Sequence, residues 1–236
     1  MDWTDQLQIF CADIGSIPGG SFAWARRIPG SGAEELHRAE SIESLAASVV
    51  EVLRNGEPVA LGFEAPLFVP VPEDSDRLGK ARPCDAPSPA WSSRPGASAL
   101  TTAMAQIPWT LRFIREQVPG LPVHVGWPPF AEQQNGLLLW EAFVSGVAKG
   151  ETDEEDARSG IQAFCEQLPD PGDPSAAETE RPFSLLTAAA LWAGFDLPIE
   201  ELRHPCLLIR ATRPPEPAIT SRRSSLPEQE HNKERA

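Results

Sequence analysis

This 236-residue chain predicts an α/β fold, a mixed β-sheet flanked by helices in a single domain over residues 1–211. Three observations carry that expectation. Two short apolar runs, residues 7–12 and 21–25, flank an Ile17-Pro18-Gly19-Gly20 segment, which is the signature of a β-hairpin. Residues 58–67 (PVALGFEAPL) are almost continuously apolar, as in a strand covered on both faces of a parallel or mixed sheet. Stretches with apolar residues at helical spacing lie between and after these runs.

The hairpin spans residues 7–27, and its first strand ends in one carboxylate, Asp13. An ionised carboxylate at the end of a buried strand needs a partner, or else it bonds the backbone of the Gly15-Ser16 bend. Gly30-Ser31-Gly32 is a turn, and a weakly signalled edge strand follows near residues 35–39. Ser41 is placed to cap a helix over 42–54, with Ile42, Leu45, Ala46, Val49, Val50 and Leu53 on one face and Asn55-Gly56 as its stop. The 58–67 strand carries a single acid, Glu64. Residues 68–96 form a Pro-, Ser- and Asp-rich irregular insertion containing Arg77, Lys80, Arg82 and Arg94. An insertion of this length inside a domain is usually functional or mobile.

A second helix is expected over 97–117, with Leu100, Met104, Ile107, Leu111 and Ile114 on one face and Pro108 kinking or dividing it. Residues 121–126 and 137–144 read as strands, the second bearing Glu141. Thr152 precedes a helix that opens Asp153-Glu154-Glu155-Asp156, acids placed where the helix dipole favours them. A Pro- and acid-rich loop over 169–182 leads to an almost wholly apolar helix over 183–195, expected to be buried, and to a closing strand over 204–211. From 212 onward apolar periodicity ceases, and a disordered tail is expected over 212–236.

The net charge of −14 weighs against electrostatic capture of a polyanion, so any nucleic-acid partner must be met by local basic residues. No apolar run approaches the ~20 residues needed to cross a bilayer, which excludes a membrane partner of that kind. The acidic N-terminus lacks the basic region of a secretory signal. Cys11, Cys84, Cys165 and Cys206 are widely spaced, with neither a CxxC pair nor a histidine at ligand spacing. They read as reduced cysteines of a cytoplasmic protein.

Asp13-Ile14-Gly15-Ser16 ending a first strand, Glu64 in a GFEAPLF strand, and Asp153 to Ala157 opening a helix together resemble the acidic motifs of RNase H-like nucleases. They are similar in particular to the Holliday-junction-resolvase branch and to a predicted bacterial RNase H-like nuclease family. The resemblance covers about residues 7–167, and Arg82-Pro83-Cys84-Asp85 resembles a basic-acidic segment of the predicted family. It departs at Ser184, near which that family tends to carry a further acid.

The resemblance implies a metal-dependent nuclease or phosphodiesterase holding two divalent ions, Mg²⁺ or Mn²⁺, in a carboxylate cluster. Asp13, Glu64, Asp153 and Asp156 are the expected catalytic set, with Asp13, Glu64, Asp156 and Glu141 as metal ligands. Ser16, Lys80, Arg82 and Arg94 are the expected substrate contacts, since arginine offers bidentate hydrogen bonds to phosphate. His124 reads either as a buried, hydrogen-bonded strand residue or as a proton shuttle.

The alternative is a catalytically silent RNase H-like domain that binds a protein, a second copy of itself or a nucleic acid. A third reading, in which Asp13 to Ser16 form the phosphate hairpin of an actin-like or sugar-kinase ATPase, meets a chain without a second Asp-x-Gly hairpin.

Overall fold

A computed structural model of the chain describes residues 3–28, 30, 34–38 and 41–215. The expected tail lies outside the described residues from 216 onward, as do most of the turn at 30–32 and the end of the third strand at 39.

Strands β1 (Gln8–Asp13) and β2 (Ala23–Arg27) form the expected antiparallel hairpin, and β3 (Glu34–Arg38) extends it as an antiparallel edge. Gly15 is obligatory at the hairpin's bend, since a Cβ there would lie 1.8 Å from the Ser21 carbonyl oxygen. Helix α1 (Ile42–Arg54) starts at Ser41, whose hydroxyl accepts from the Ser44 amide, and ends at Asn55. It returns the chain to β4 (Val59–Glu64), which lies parallel to β1. After the short strand β5 (Phe68–Pro70) and the 71–93 segment come α2 (Arg94–Gln117), β6 (Val123–His124), α3 (Trp127–Gln133) and β7 (Leu137–Phe143). The chain closes with α4 (Asp153–Gln167), β8 (Pro182–Ser184), α5 (Leu185–Trp192) and β9 (Leu207–Arg210).

The main sheet is mixed and seven-stranded, in the order β3-β2-β1-β4-β7. Two short strands share the outer edge of β7: β6 pairs with its first residues and β9 with its last. Strands β5 and β8 form a separate antiparallel ribbon.

Side-chain alternation divides the core between two faces. Phe10, Ala12, Leu61, Phe63, Leu137 and Leu139 pack with α1, α2 and α5. Ile9, Cys11, Ala60, Leu138, Trp140 and Ala142 pack with α3 and α4. Gly62 is fixed by this second face, because a Cβ there would lie 2.3 Å from the indole of Trp140 on the neighbouring strand.

Two expectations are narrowed. Helix α2 continues through Pro108 without dividing. Met104 stands at helical spacing with Ile107 and Leu111 yet is 64% exposed, and with Leu100, Pro108, Leu185 and Trp192 it lines an apolar pocket. The apolar run at 183–195 is only partly helical and partly buried: Phe183 sits in β8, and Trp192 is 65% exposed. Sheet pairing of residues 182–184 with β5 takes the first residues of that run out of the helix.

Candidate metal centre

The chemistry gathers at the carboxyl ends of the parallel strands β1, β4 and β7, where open α/β sheets characteristically bind ligands. Asp13 and Glu64 are register partners on β1 and β4, so their side chains leave the sheet on the same face. Period two places Asp13 with Ile9 and Cys11, and Glu64 with Ala60, on the side that α4 covers.

Helix α4 brings the third acid. Asp156 stands in its first turn, where the helix dipole favours a negative charge. The Gly150 amide donates to Asp156 Oδ1 at 2.7 Å, and the Glu151 amide donates to Glu155 Oε2 at 2.7 Å, so the acidic turn folds back on the loop before it. Gly150 permits that approach, for a Cβ there would meet the Cβ of Glu155 at 2.3 Å. Oxygens of Asp13, Glu64 and Asp156 then lie within 4.8 Å of one another, although the residues are far apart in the sequence.

One cation faces the triad. Lys149 Nζ donates to Glu64 Oε1 at 3.2 Å and to Asp156 Oδ2 at 2.5 Å, with about half of the lysine side chain exposed. Glu64 Oε2 is buried with no hydrogen-bond partner. Burial lifts the Asp13 carboxyl from 3.8 to about 7, with Lys149 pulling it down and the charges of Asp153 and Asp156 pushing it further up. Glu64 is raised well above the usual carboxylate range by burial and then by Asp13, against the pull of Lys149. For Lys149, burial opposes the charge, but Glu64 and Asp156 outweigh it and hold the ammonium more firmly than in water. Three acids with one half-exposed lysine leave a pocket short of positive charge, lined with the oxygen donors that hard divalent cations prefer.

Glu141 does not belong to this cluster. Phe63 and Glu141 are register partners, so Glu141 leaves β7 on the face opposite to Glu64. There its carboxylate is fully engaged: Arg82 Nη2 donates to Oε1 at 2.8 Å, and Arg82 Nη1 and the Leu67 amide donate to Oε2 at 3.0 and 2.8 Å. Arg82 is likewise not a phosphate contact. It is buried, its Nε donates to Asp85 Oδ1 at 2.9 Å, its Nη1 also reaches the Phe68 carbonyl, and its plane lies 4.5 Å from the Phe68 ring. Burial opposes its charge, yet Glu141 and Asp85 hold it firmly protonated. The expected phosphate clamp is a structural lock that ties the 68–96 insertion to the sheet.

The other expected residues are dispersed. Asp153 is near enough to raise Asp13 but is not one of the three clustered acids. Ser16 is exposed in the hairpin bend, where its amide donates to Ser21 Oγ and its hydroxyl accepts from the Gly19 amide. Lys80 and Arg94 are exposed and do not line the cleft beside the triad. His124 is buried against Phe130, its Nε2 has no hydrogen-bond partner, and burial lowers its pKa, which fits a neutral strand residue and not a proton shuttle. Ser184 is buried and caps α5, accepting from the Thr187 amide.

Sequence reasoning missed Lys149, although a lone cation just ahead of the acidic helix head was its available signal. It also missed the cleft of about 380 Å³ that opens from Asp13, Glu64 and Lys149 toward Ser88, Trp91 and Ser145. Among the described residues no helix is long and apolar enough to cross a membrane. Comparison with protein-family models, with curated proteins and with solved structures finds no match for this chain.

Proposed function

We propose that this chain is a metal-dependent phosphodiesterase of RNase H-like fold, with Asp13, Glu64 and Asp156 as the ligands of a Mg²⁺ or Mn²⁺ centre. The observation that carries this reading is the convergence of three carboxylates from β1, β4 and α4 within 4.8 Å, one of them with a buried oxygen that nothing hydrogen-bonds. Without a further cation, such a group of acids is held together against its own repulsion. An antiparallel β1-β2-β3 meander that continues through β1 into the parallel strands β4 and β7, with the acids of β1 and β4 adjacent, supports the RNase H-like assignment.

A divalent ion bound here would polarise a phosphoryl oxygen and supply a water ionised near neutral pH. Asp13 and Glu64 offer their oxygens from rigid strand ends, and Asp156 closes the site from the helix. Lys149 would yield its place among the carboxylates and turn its ammonium toward a phosphate oxygen at the mouth of the cleft. Asp153, outside the cluster, adds negative charge behind Asp13.

One feature favours the second reading, a silent domain: Lys149 already bridges Glu64 and Asp156 and supplies part of the counter-charge itself. Thermal unfolding during a Mn²⁺ titration separates the two. The metal centre predicts stabilisation that grows with metal, about 2.7 kcal/mol at a hundredfold excess over Kd, together with hydrolysis of bis(p-nitrophenyl) phosphate. Both effects vanish in Asp156→Asn. A silent domain shows neither.

A further inference from the structure

The cleft beside the triad has a chemical character of its own. One end is the carboxylate cluster with Lys149; the far wall comes from residues 85–96 and the floor from residues 143–146. That wall carries Pro89, Ala90, Pro95 and Gly96 beside Trp91, and the hydroxyls of Ser88 and Ser93, with Ser145 of the floor, are the neutral polar groups. Ser88 Oγ and Ser145 Oγ are 2.5 Å apart and join the two sides, while Ser93 Oγ is buried with no hydrogen-bond partner.

Trp91 is fixed at both ends. Its amide donates to Asp85 Oδ2 at 3.1 Å and its indole Nε1 donates to the Lys80 carbonyl at 2.9 Å. Asp85 is in turn held by Arg82. The lock around Arg82 thus holds in place Trp91, a residue that lines the cleft, an arrangement that lowers the ordering cost of binding.

Positive charge is the scarce quantity. Of the two basic residues lining the cleft, Arg82 is fully buried and engaged by Glu141 and Asp85, which leaves Lys149. A groove for a polynucleotide must neutralise a succession of phosphates with lysine and arginine. Here there is one half-exposed lysine on a chain of net charge −14. The volume, about 380 Å³, lies at the lower end of the range for pockets that enclose one small molecule.

We propose that the cleft between the Asp13–Glu64–Asp156 cluster and Trp91 binds one mononucleotide-sized phosphoester, its phosphate beside Lys149 and the carboxylates and its flat ring against the indole. The serine hydroxyls supply hydrogen bonds to the ring or sugar. A polynucleotide is not the substrate. This assignment rests on the metal reading of the triad, because only a cation lets three carboxylates receive a phosphate.

The test is calorimetric titration of the full chain, first with Mn²⁺ alone, then at saturating Mn²⁺ with thymidine monophosphate or with oligothymidylates of increasing length. The expected result is saturable binding of the mononucleotide that requires Mn²⁺, with no gain in affinity as the oligonucleotide lengthens. Trp91→Ala weakens mononucleotide binding by about tenfold, as loss of a stacking partner does. Trp91→Phe retains most of it, and both variants keep the Mn²⁺ affinity of the parent.

Affinity that climbs with oligonucleotide length and falls steeply with salt overturns the proposal in favour of a polynucleotide groove. Mononucleotide binding indifferent to Trp91→Ala also overturns it. Mn²⁺ binding without any mononucleotide binding overturns the cleft assignment and leaves the metal centre standing. Absence of Mn²⁺ binding overturns both.

Discussion

Two acid clusters stand at the ends of neighbouring strands and solve the same electrostatic problem in opposite ways. Behind β7, Glu141 and Asp85 share one arginine: Arg82 is buried, its guanidinium donates to both carboxylates, and both Glu141 oxygens are hydrogen-bonded. In front of β4, Asp13, Glu64 and Asp156 share one half-exposed lysine, and Glu64 keeps a buried oxygen with no hydrogen-bond partner. The first cluster is complete without any ligand. The second is short of charge and of donors. Sequence alone could not rank them, since each offers a glutamate in an apolar strand.

The contrast is broken most forcefully at Arg82. Arg82→Met leaves Glu141 and Asp85 inside the protein without their cation, and such a loss costs about 3–5 kcal/mol. For a chain of this size that lowers Tm by roughly 10 °C. Adding Glu141→Leu should recover more than half of the loss, because a buried ion pair is worth little against an apolar pair of similar volume. Thermal unfolding of the two single variants and the double variant measures the coupling. An Arg82→Met protein as stable as the parent would mean that the lock is not closed as described.

At the other cluster the sign reverses. Glu64→Gln removes a carboxyl whose ionised form burial and Asp13 disfavour, and should raise the stability of the metal-free protein by about 1 kcal/mol, a common exchange of function for stability. The same variant should lose its stabilisation by Mn²⁺. Loss of stability in the absence of metal would show that Glu64 serves the fold, as Glu141 does.

Lys149→Met gives a smaller change, because exposed ion pairs contribute about 1 kcal/mol or less. Without metal it should be slightly less stable, with three acids left unopposed. Its Mn²⁺ affinity should rise, because the ammonium no longer competes for Glu64 and Asp156. Calorimetric Kd values of parent and variant settle the direction.

How much of this was readable beforehand follows from the range of each interaction. Hairpin, first helix and parallel strands were legible because turn residues, caps and apolar period act over a few positions, as Ser41 and Asn55 do around α1. The placement of Asp13 and Glu64 was legible for the same reason, each ending an apolar run. Glu141 was misjudged because its face depends on register, and one residue of register inverts inside and outside. Arg82 was misjudged because one of its two acidic partners, Glu141, lies 59 residues away, and no local pattern separates a basic loop residue facing water from one drawn into the core.

His124 supplies the smallest test and a third case beside the two clusters: a buried ionisable group with no counter-charge. It ends β6 against Phe130, its Nε2 has no hydrogen-bond partner, and burial lowers its pKa below 6.5. A base with a depressed folded pKa takes up its proton first in the unfolded chain. As pH falls through about 6.5 the unfolded state therefore binds more protons, and stability declines until the folded pKa is passed. His124→Leu should flatten that part of the decline, so the difference in unfolding free energy between parent and variant grows toward acid pH. Denaturant unfolding of both proteins at pH values on either side of the ordinary histidine pKa measures it. A parent whose stability relative to His124→Leu improves on acidification would show that the imidazole is held charged, by a partner it gains in solution.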